Sequence, residues 1–185
     1  MRIKTTREKR IFYFKTALRW TLYYVIILMS FVIMTTGSWK KPVLLVPVAL
    51  CIAINNDIMA SAYTGAFCGF LIDIACGRLI GYNAVILTIF SAAMTLIFEL
   101  YLRRKFINYI VLTAIMTFLQ CFLDFQFFYK LWDYENVNNI FRNVTLKVWI
   151  YTMISSVILY VIFRIINNLL MPKEHLTIEE VIRNN

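Results

Sequence analysis

Six apolar runs, separated by short polar breaks, set the pattern of this chain. They cover Ala17–Thr36, Val43–Ile54, Ile58–Cys76, Ala84–Phe98, Phe106–Phe128 and Val144–Ile166. Five of them approach or exceed the length a helix needs to cross a hydrocarbon core of roughly 30 Å. The second does not: about 12 residues reach roughly 18 Å at helical rise, and Pro47 lies within it. That segment is expected to borrow length from its flanks, to bend at Pro47, or to cross incompletely. The breaks hold residues that end helices or sit at membrane interfaces. Gly37–Pro42 contains Trp39, and Pro42 suits a first helical position. Asn55-Asn56-Asp57 makes a tight polar turn, and Gly77 is a natural helix stop with Gly81 close behind it. The longest connection, Tyr129–Asn143, is polar but carries Trp132, Tyr134 and Phe141, and further on Thr177 and Glu180 have capping-box spacing. The pattern predicts an all-α, polytopic integral membrane bundle of about six transmembrane helices. It divides into a basic segment over 1–16, a membrane domain over 17–166 and a short tail over 167–185.

The third run differs in kind from the others. Ser61, Gly65, Gly69, Asp73 and Gly77 recur every four residues and so share one slowly drifting helix face. A face of small residues lets another backbone approach closely, which is how helices associate in lipid. Asp73 sits in that face, and an acid at membrane depth is a functional-site hypothesis by default. One turn from a helix C-terminus it also opposes the helix dipole. Compensation is expected from Arg78 or from backbone N–H groups of the Gly77–Gly81 loop, which makes Asp73 a structural tie for that loop. Partner contact and transport are the alternatives.

Composition and charge narrow the class. The chain has 185 residues, of which 61% are hydrophobic and 16% charged, whereas a soluble domain is about half apolar and a quarter charged. The net charge of +9 does not point to nucleic acid, because no basic, aromatic-interleaved soluble domain carries it. Arg2, Lys4, Arg7, Lys9, Arg10, Lys15 and Arg19 precede or open the first run, and Arg103, Arg104 and Lys105 lie between the fourth and fifth. Such clusters flank spans and set orientation, and they can touch anionic headgroups of membrane lipid. With six spans, both termini and the Arg103–Lys105 loop fall on the cytoplasmic side, and the first helix is retained rather than cleaved as a leader. Cys51, Cys68, Cys76 and Cys121 lie inside apolar runs without C-x-x-C spacing and read as small buried hydrophobes. No catalytic motif is present: there is no H-E-x-x-H, glycine-rich phosphate loop or G-x-S-x-G, and the one histidine, His175, has no partner at motif spacing. Neither enzymatic activity nor a cofactor or metal is expected.

The remaining polar residues fall on helix faces. Thr113, Thr117, Gln120 and Asp124 share one face of the fifth run, and Thr145, Thr152 and Ser156 have compatible spacing on the sixth. These faces are expected to look inward, since lipid offers polar groups no partner. Gln120, Asp124 and Lys147 are expected to form a polar intramembrane cluster at the depth of Asp73, with an Asp124–Lys147 ion pair. Interhelical bonding, or a polar cavity for a ligand or ion, would use it.

Gly65, Gly69, Asp73, Gly77, Gly81 and Asn83 together spell G-x-x-x-G-x-x-x-D-x-x-x-G-x-x-x-G-x-N, which resembles the central signature of the rod shape-determining protein MreD family. The proline-led segment before it, the length and the basic start also fit. The resemblance implies a non-enzymatic integral component of the bacterial elongation machinery in the cytoplasmic (inner) membrane. It would bind MreC and, through MreC, link MreB to RodA and a class B penicillin-binding transpeptidase. A partner's single span is expected on the small face of the third helix or on the lipid-facing side of a neighbour. The family's fold is similar to that of energy-coupling-factor transporter substrate-binding subunits, so a solute-binding transport subunit is the alternative. Those subunits dock through A-x-x-x-A on the first helix, and here the nearest match, Ala62-x-x-x-Ala66, lies on the third.

Overall fold

The computed structural model describes residues 6–36, 42–77, 79–101, 106–131, 139 and 141–170, with side chains from residue 10 onward. Trp39, Lys40, Lys41, Arg78, Arg103–Lys105, Trp132, Tyr134, His175, Thr177 and Glu180 lie outside the described residues. The helices are α1 (Thr6–Thr35), α2 (Leu45–Ala53), α3 (Ile58–Cys76), α4 (Tyr82–Leu100), α5 (Phe106–Phe125) and α6 (Leu146–Leu170). α5 continues into a π-helical turn at Gln126–Lys130, and another π-helical turn, Phe141–Thr145, leads into α6. The protein is an all-helical, multi-pass membrane protein, and five of its helices are long and apolar enough to cross a membrane unaided.

The first helix extends beyond its apolar run. α1 runs from Thr6, so its opening turns, which include Arg10 and Lys15, precede the apolar run that begins at Ala17. Lys, Arg and Glu are good helix formers, and 30 residues rise about 45 Å, which carries those turns beyond the hydrocarbon core. α6 likewise runs on to Leu170 and takes Asn167 into the bundle.

The short second segment forms the centre. α2 has 9 residues and all are buried. It touches α1, α3, α4, α5 and α6, and most of the buried hydrophobic cluster gathers on it: Leu45, Val48, Leu50 and Ile52 against Tyr23, Ile72, Leu87, Met94 and Phe163. Wrapped by protein on all sides, α2 has no need of the length that matching lipid would impose. Pro47 does not bend it. It falls in the first turn, where the missing N–H would have had no intrahelical acceptor. The start of α2 is held by α6, whose Thr152 hydroxyl accepts the Val43 N–H at 3.0 Å. Its C-terminal carbonyl, at Ala53, accepts from Thr95 of α4 at 2.8 Å.

Cross-contacts fix alternating directions. α3 and α4 are antiparallel, with Ser61 beside Thr95 at one end and Asp73 beside Asn83 at the other. α5 and α6 are antiparallel as well, with Tyr109 beside Ser156 and Trp149 donating to the Ala114 carbonyl. Tyr23 of α1 donates to the Asn167 side chain of α6, and Arg19 donates to Asn56 at 3.1 Å. These contacts place Arg19, Asn56 and Asn167 at one end of the bundle and Asp73 at the other. Cys51, Cys68 and Cys121 are buried as expected, but Cys76 is exposed at the end of α3.

The central position of α2 generates a contrast. Leu50→Ala should cost about 2–5 kcal/mol, because Leu50 is 0% exposed. Leu28→Ala, at a position that is 53% exposed, should change stability by no more than about 0.5 kcal/mol. Unfolding in detergent micelles followed by circular dichroism measures both, and equal losses would refute the central placement.

Candidate functional site

Two glycines allow the α3–α4 contact. A Cβ added to Gly65 would lie 2.6 Å from the Leu87 carbonyl oxygen and 2.7 Å from the Ser91 hydroxyl. A Cβ on Gly69 would lie 2.5 Å from the Ala84 nitrogen and from the Asn83 carbonyl oxygen, and would also meet the Ala84 Cα. Even a methyl group has no room, so the backbones touch where these glycines stand. The small face of α3 is therefore filled by α4 of the same chain. A partner's span was expected on this face or on the lipid-facing side of a neighbouring helix; within the chain, α4 packs on this face.

The turn that follows makes the close pairing possible. Gly77 ends α3 in the left-handed region (φ 60°), its N–H returning to the carbonyls of Asp73 and Ile74. Gly81 opens α4 at φ 99°. Both conformations are open to glycine at little cost. Having no side chain, Gly81 cannot cap α4, and the first N–H groups of that helix need acceptors from elsewhere.

Asp73 supplies them. It is 0% exposed. Its Oδ2 accepts the Gly81 N–H at 2.8 Å, and its Oδ1 accepts the Asn83 N–H at 3.2 Å and the Asn83 Nδ2 at 2.7 Å. A carboxyl group at the C-terminal end of α3, where the dipole disfavours negative charge, sits at the N-terminal end of α4, where the dipole favours it. Of the two compensations expected for Asp73, the backbone N–H groups are the one observed, while Arg78 lies outside the described residues.

Asn83 passes the contact on. Its Oδ1 accepts from Gln120 Nε2 of α5, and both side chains are buried. One line of bonds thus joins α3, α4 and α5 at a single depth and unites the glycine signature with part of the expected polar cluster. The rest of that cluster differs. Asp124 is half-buried and Lys147 is exposed. The reason is geometric: in α6 the inward face carries Thr152, Ser156, Phe163 and Asn167, and Lys147 stands off it. Thr113 and Thr117 are buried on α5 as expected.

Sequence reasoning missed Thr95, Tyr23 and Asn167. Thr95 donates to Ala53 and sits 2.8 Å from the Ser61 hydroxyl, which ties α2, α3 and α4 at the end opposite Asp73. A lone threonine or tyrosine in an apolar run gives no periodic signal. What could have found them is the rule that a hydroxyl at membrane depth has to bond within the protein.

A family model described as rod shape-determining protein MreD matches residues 10–170. No curated protein and no solved structure matches the chain at a significant level.

Asp73→Ala should destabilise the protein by about 3 kcal/mol, because it strands the buried N–H groups of Gly81 and Asn83. The Asp73→Ala/Asn83→Ala double variant should lose less than the sum of its parts, by about 1 kcal/mol or more. Additive losses in detergent unfolding would break the proposed line of bonds. Gly69→Leu should yield no folded protein. Gly77→Ala, with open space but a positive φ, should cost only about 1 kcal/mol, and a reversed order of the two would count against the close approach.

Proposed function

The chain belongs to the rod shape-determining protein MreD family, and on that premise we propose that it is a non-enzymatic membrane scaffold of the bacterial cell-elongation machinery. In this reading it lies in the cytoplasmic membrane with both termini on the cytoplasmic side and binds MreC. Through MreC it connects MreB filaments with lateral peptidoglycan synthesis by RodA and a class B penicillin-binding transpeptidase. The observation that carries the reading is the family match over residues 10–170, which takes in all six helices but for the first turn of α1.

Charge supports the orientation. Arg10, Lys15 and Arg19 on α1 and Arg164 on α6 gather at the end of the bundle marked by Asn56 and Asn167. By the positive-inside rule that end is cytoplasmic, and Asp73 then lies in the outer leaflet. Because α4 occupies the small face of α3, MreC's single span docks on an outward apolar face. Among the long helices α1 and α6 bury least inside the bundle, and α1 turns Tyr24, Leu28, Met29 and Val32 outward.

Depletion in the source cell followed by microscopy tests the function: rounding and swelling support shape maintenance, whereas a nutrient requirement with normal shape would favour the solute-transport reading. Co-purification tests the interface. Replacing Leu28 and Val32 together with Trp should lower MreC recovery by about tenfold, the scale of a lost interface anchor, with unchanged thermal stability. Wild-type recovery would remove α1 from the interface.

A further inference from the structure

At the Asn56–Asn167 end of the bundle, α2, α4, α5 and α6 enclose a cavity of about 530 Å³, within the size range of small-molecule and cofactor sites. Its floor is closed: Cys51, Tyr109 and Phe163 are each at most 2% exposed. Its rim is open and positively charged, with Arg164 and Asn168 both exposed. Between rim and floor the walls are aromatic, formed by Phe98, Phe106 and Tyr160, and the last two rings pack at 5.1 Å. No acidic side chain is among the described residues that line it.

One group in the lining lacks a partner. Asn167 is 6% exposed, and its Oδ1 already accepts from the Tyr23 hydroxyl. Its Nδ2 is buried with no acceptor among the described residues. A buried amide donor left unmatched is costly, so the cavity wall holds a donor in want of an acceptor, one turn from the Arg164 cation.

We propose that this cavity binds an anionic phospholipid, its phosphate between Arg164 and the Asn167 amide and part of an acyl chain against Phe98, Phe106 and Tyr160. Each part of the lining selects one part of that ligand. A guanidinium and an amide N–H are donors only, and they fit phosphate oxygens. A cavity that narrows from a charged rim to an apolar floor fits an amphiphile whose head stays near the water interface. The described lining residues include no carboxylate, so none of them partners a zwitterionic head's ammonium. Assignment to the inner leaflet rests on the orientation proposed above, whereas the headgroup chemistry does not, and binding in detergent reads the second alone.

Native mass spectrometry of the full chain in detergent tests the site, with phosphatidylglycerol as probe, phosphatidylcholine of the same chains as comparison and inorganic phosphate as competitor. The expected result is retention of one phosphatidylglycerol in preference to phosphatidylcholine, not displaced by millimolar phosphate. Arg164→Gln should weaken retention about tenfold, the scale of one charge-assisted hydrogen bond. Asn168→Trp at the rim should weaken it as well. Arg10→Gln, which removes an exposed cation outside the cavity, should have no effect. Melting temperatures without added lipid should match for all three variants, since each altered side chain is exposed. Wild-type retention by both Arg164→Gln and Asn168→Trp, or equal loss in Arg10→Gln, would overturn the site. Equal binding of phosphatidylcholine would overturn the headgroup assignment, and displacement by phosphate would replace the lipid with a soluble anion.

Discussion

Lipid gives a polar group nothing to bond with, so the first turns of each helix in a membrane bundle need acceptors from within the chain. At the start of α4 that need is met by a side chain of the preceding helix, the carboxyl group of Asp73, which receives the N–H groups of Gly81 and Asn83. The contact is possible only at glycine spacing. If the two backbones were held apart by a methyl group at Gly69, the carboxyl oxygens could not reach the first turn of α4. Close packing and hydrogen bonding are thus one constraint, and neither survives without the other. From this pair the bonding continues through Asn83 to Gln120 of α5.

The other organising feature is α2, which is central rather than peripheral although it is the shortest helix. A helix facing lipid has its length set by the bilayer, but one surrounded by five others answers only to their side chains. Its two ends are held by hydroxyls of neighbours, Thr152 at the start and Thr95 at the finish. Single hydroxyls from other helices thus do for α2 what capping residues of its own would do in water. The same economy explains why the described residues carry so many buried Ser and Thr side chains without a conspicuous polar core.

The bundle was legible from hydropathy because five of the six runs satisfy bilayer length on their own. The second run was legible as a segment but not as a centre, since about twelve apolar residues look alike in a truncated span and in a buried helix. Asp73 was legible as a tie for the Gly77–Gly81 loop, because an acid near a helix C-terminus requires compensation and glycines next to it expose N–H groups. Its bond to the Asn83 side chain, and that side chain's bond to Gln120, were not, because nothing in spacing says which rotation α5 adopts against α4. For Asp124 and Lys147 likewise, equal depth was readable from spacing, but facing was not. Small-residue periodicity did show a close helix contact, yet it could not show whether the second helix belonged to this chain.

That last ambiguity bears on which surfaces of the bundle are open to another span. The stretch from Gly65 to Asn83 carries the family resemblance, and its signature residues Gly65, Gly69, Asp73 and Asn83 are buried within the chain, while Phe67, Phe70 and Ile74 between them face outward. Those signature residues serve the α3–α4 contact and the turn between the two helices. On outward faces the surrounding lipid demands only that residues be apolar, and packing shape is what distinguishes one such face from another. The two ends of the bundle differ as well. Around Asp73 three helices are joined by buried hydrogen bonds. At the Arg19–Asn167 end, the closed floor gives way to a cavity and α1 leans on the bundle chiefly through Tyr23, Ile27 and the Arg19 contact. The cavity therefore lies at the end of the bundle away from the Asp73 tie, and the two features are carried by different residues.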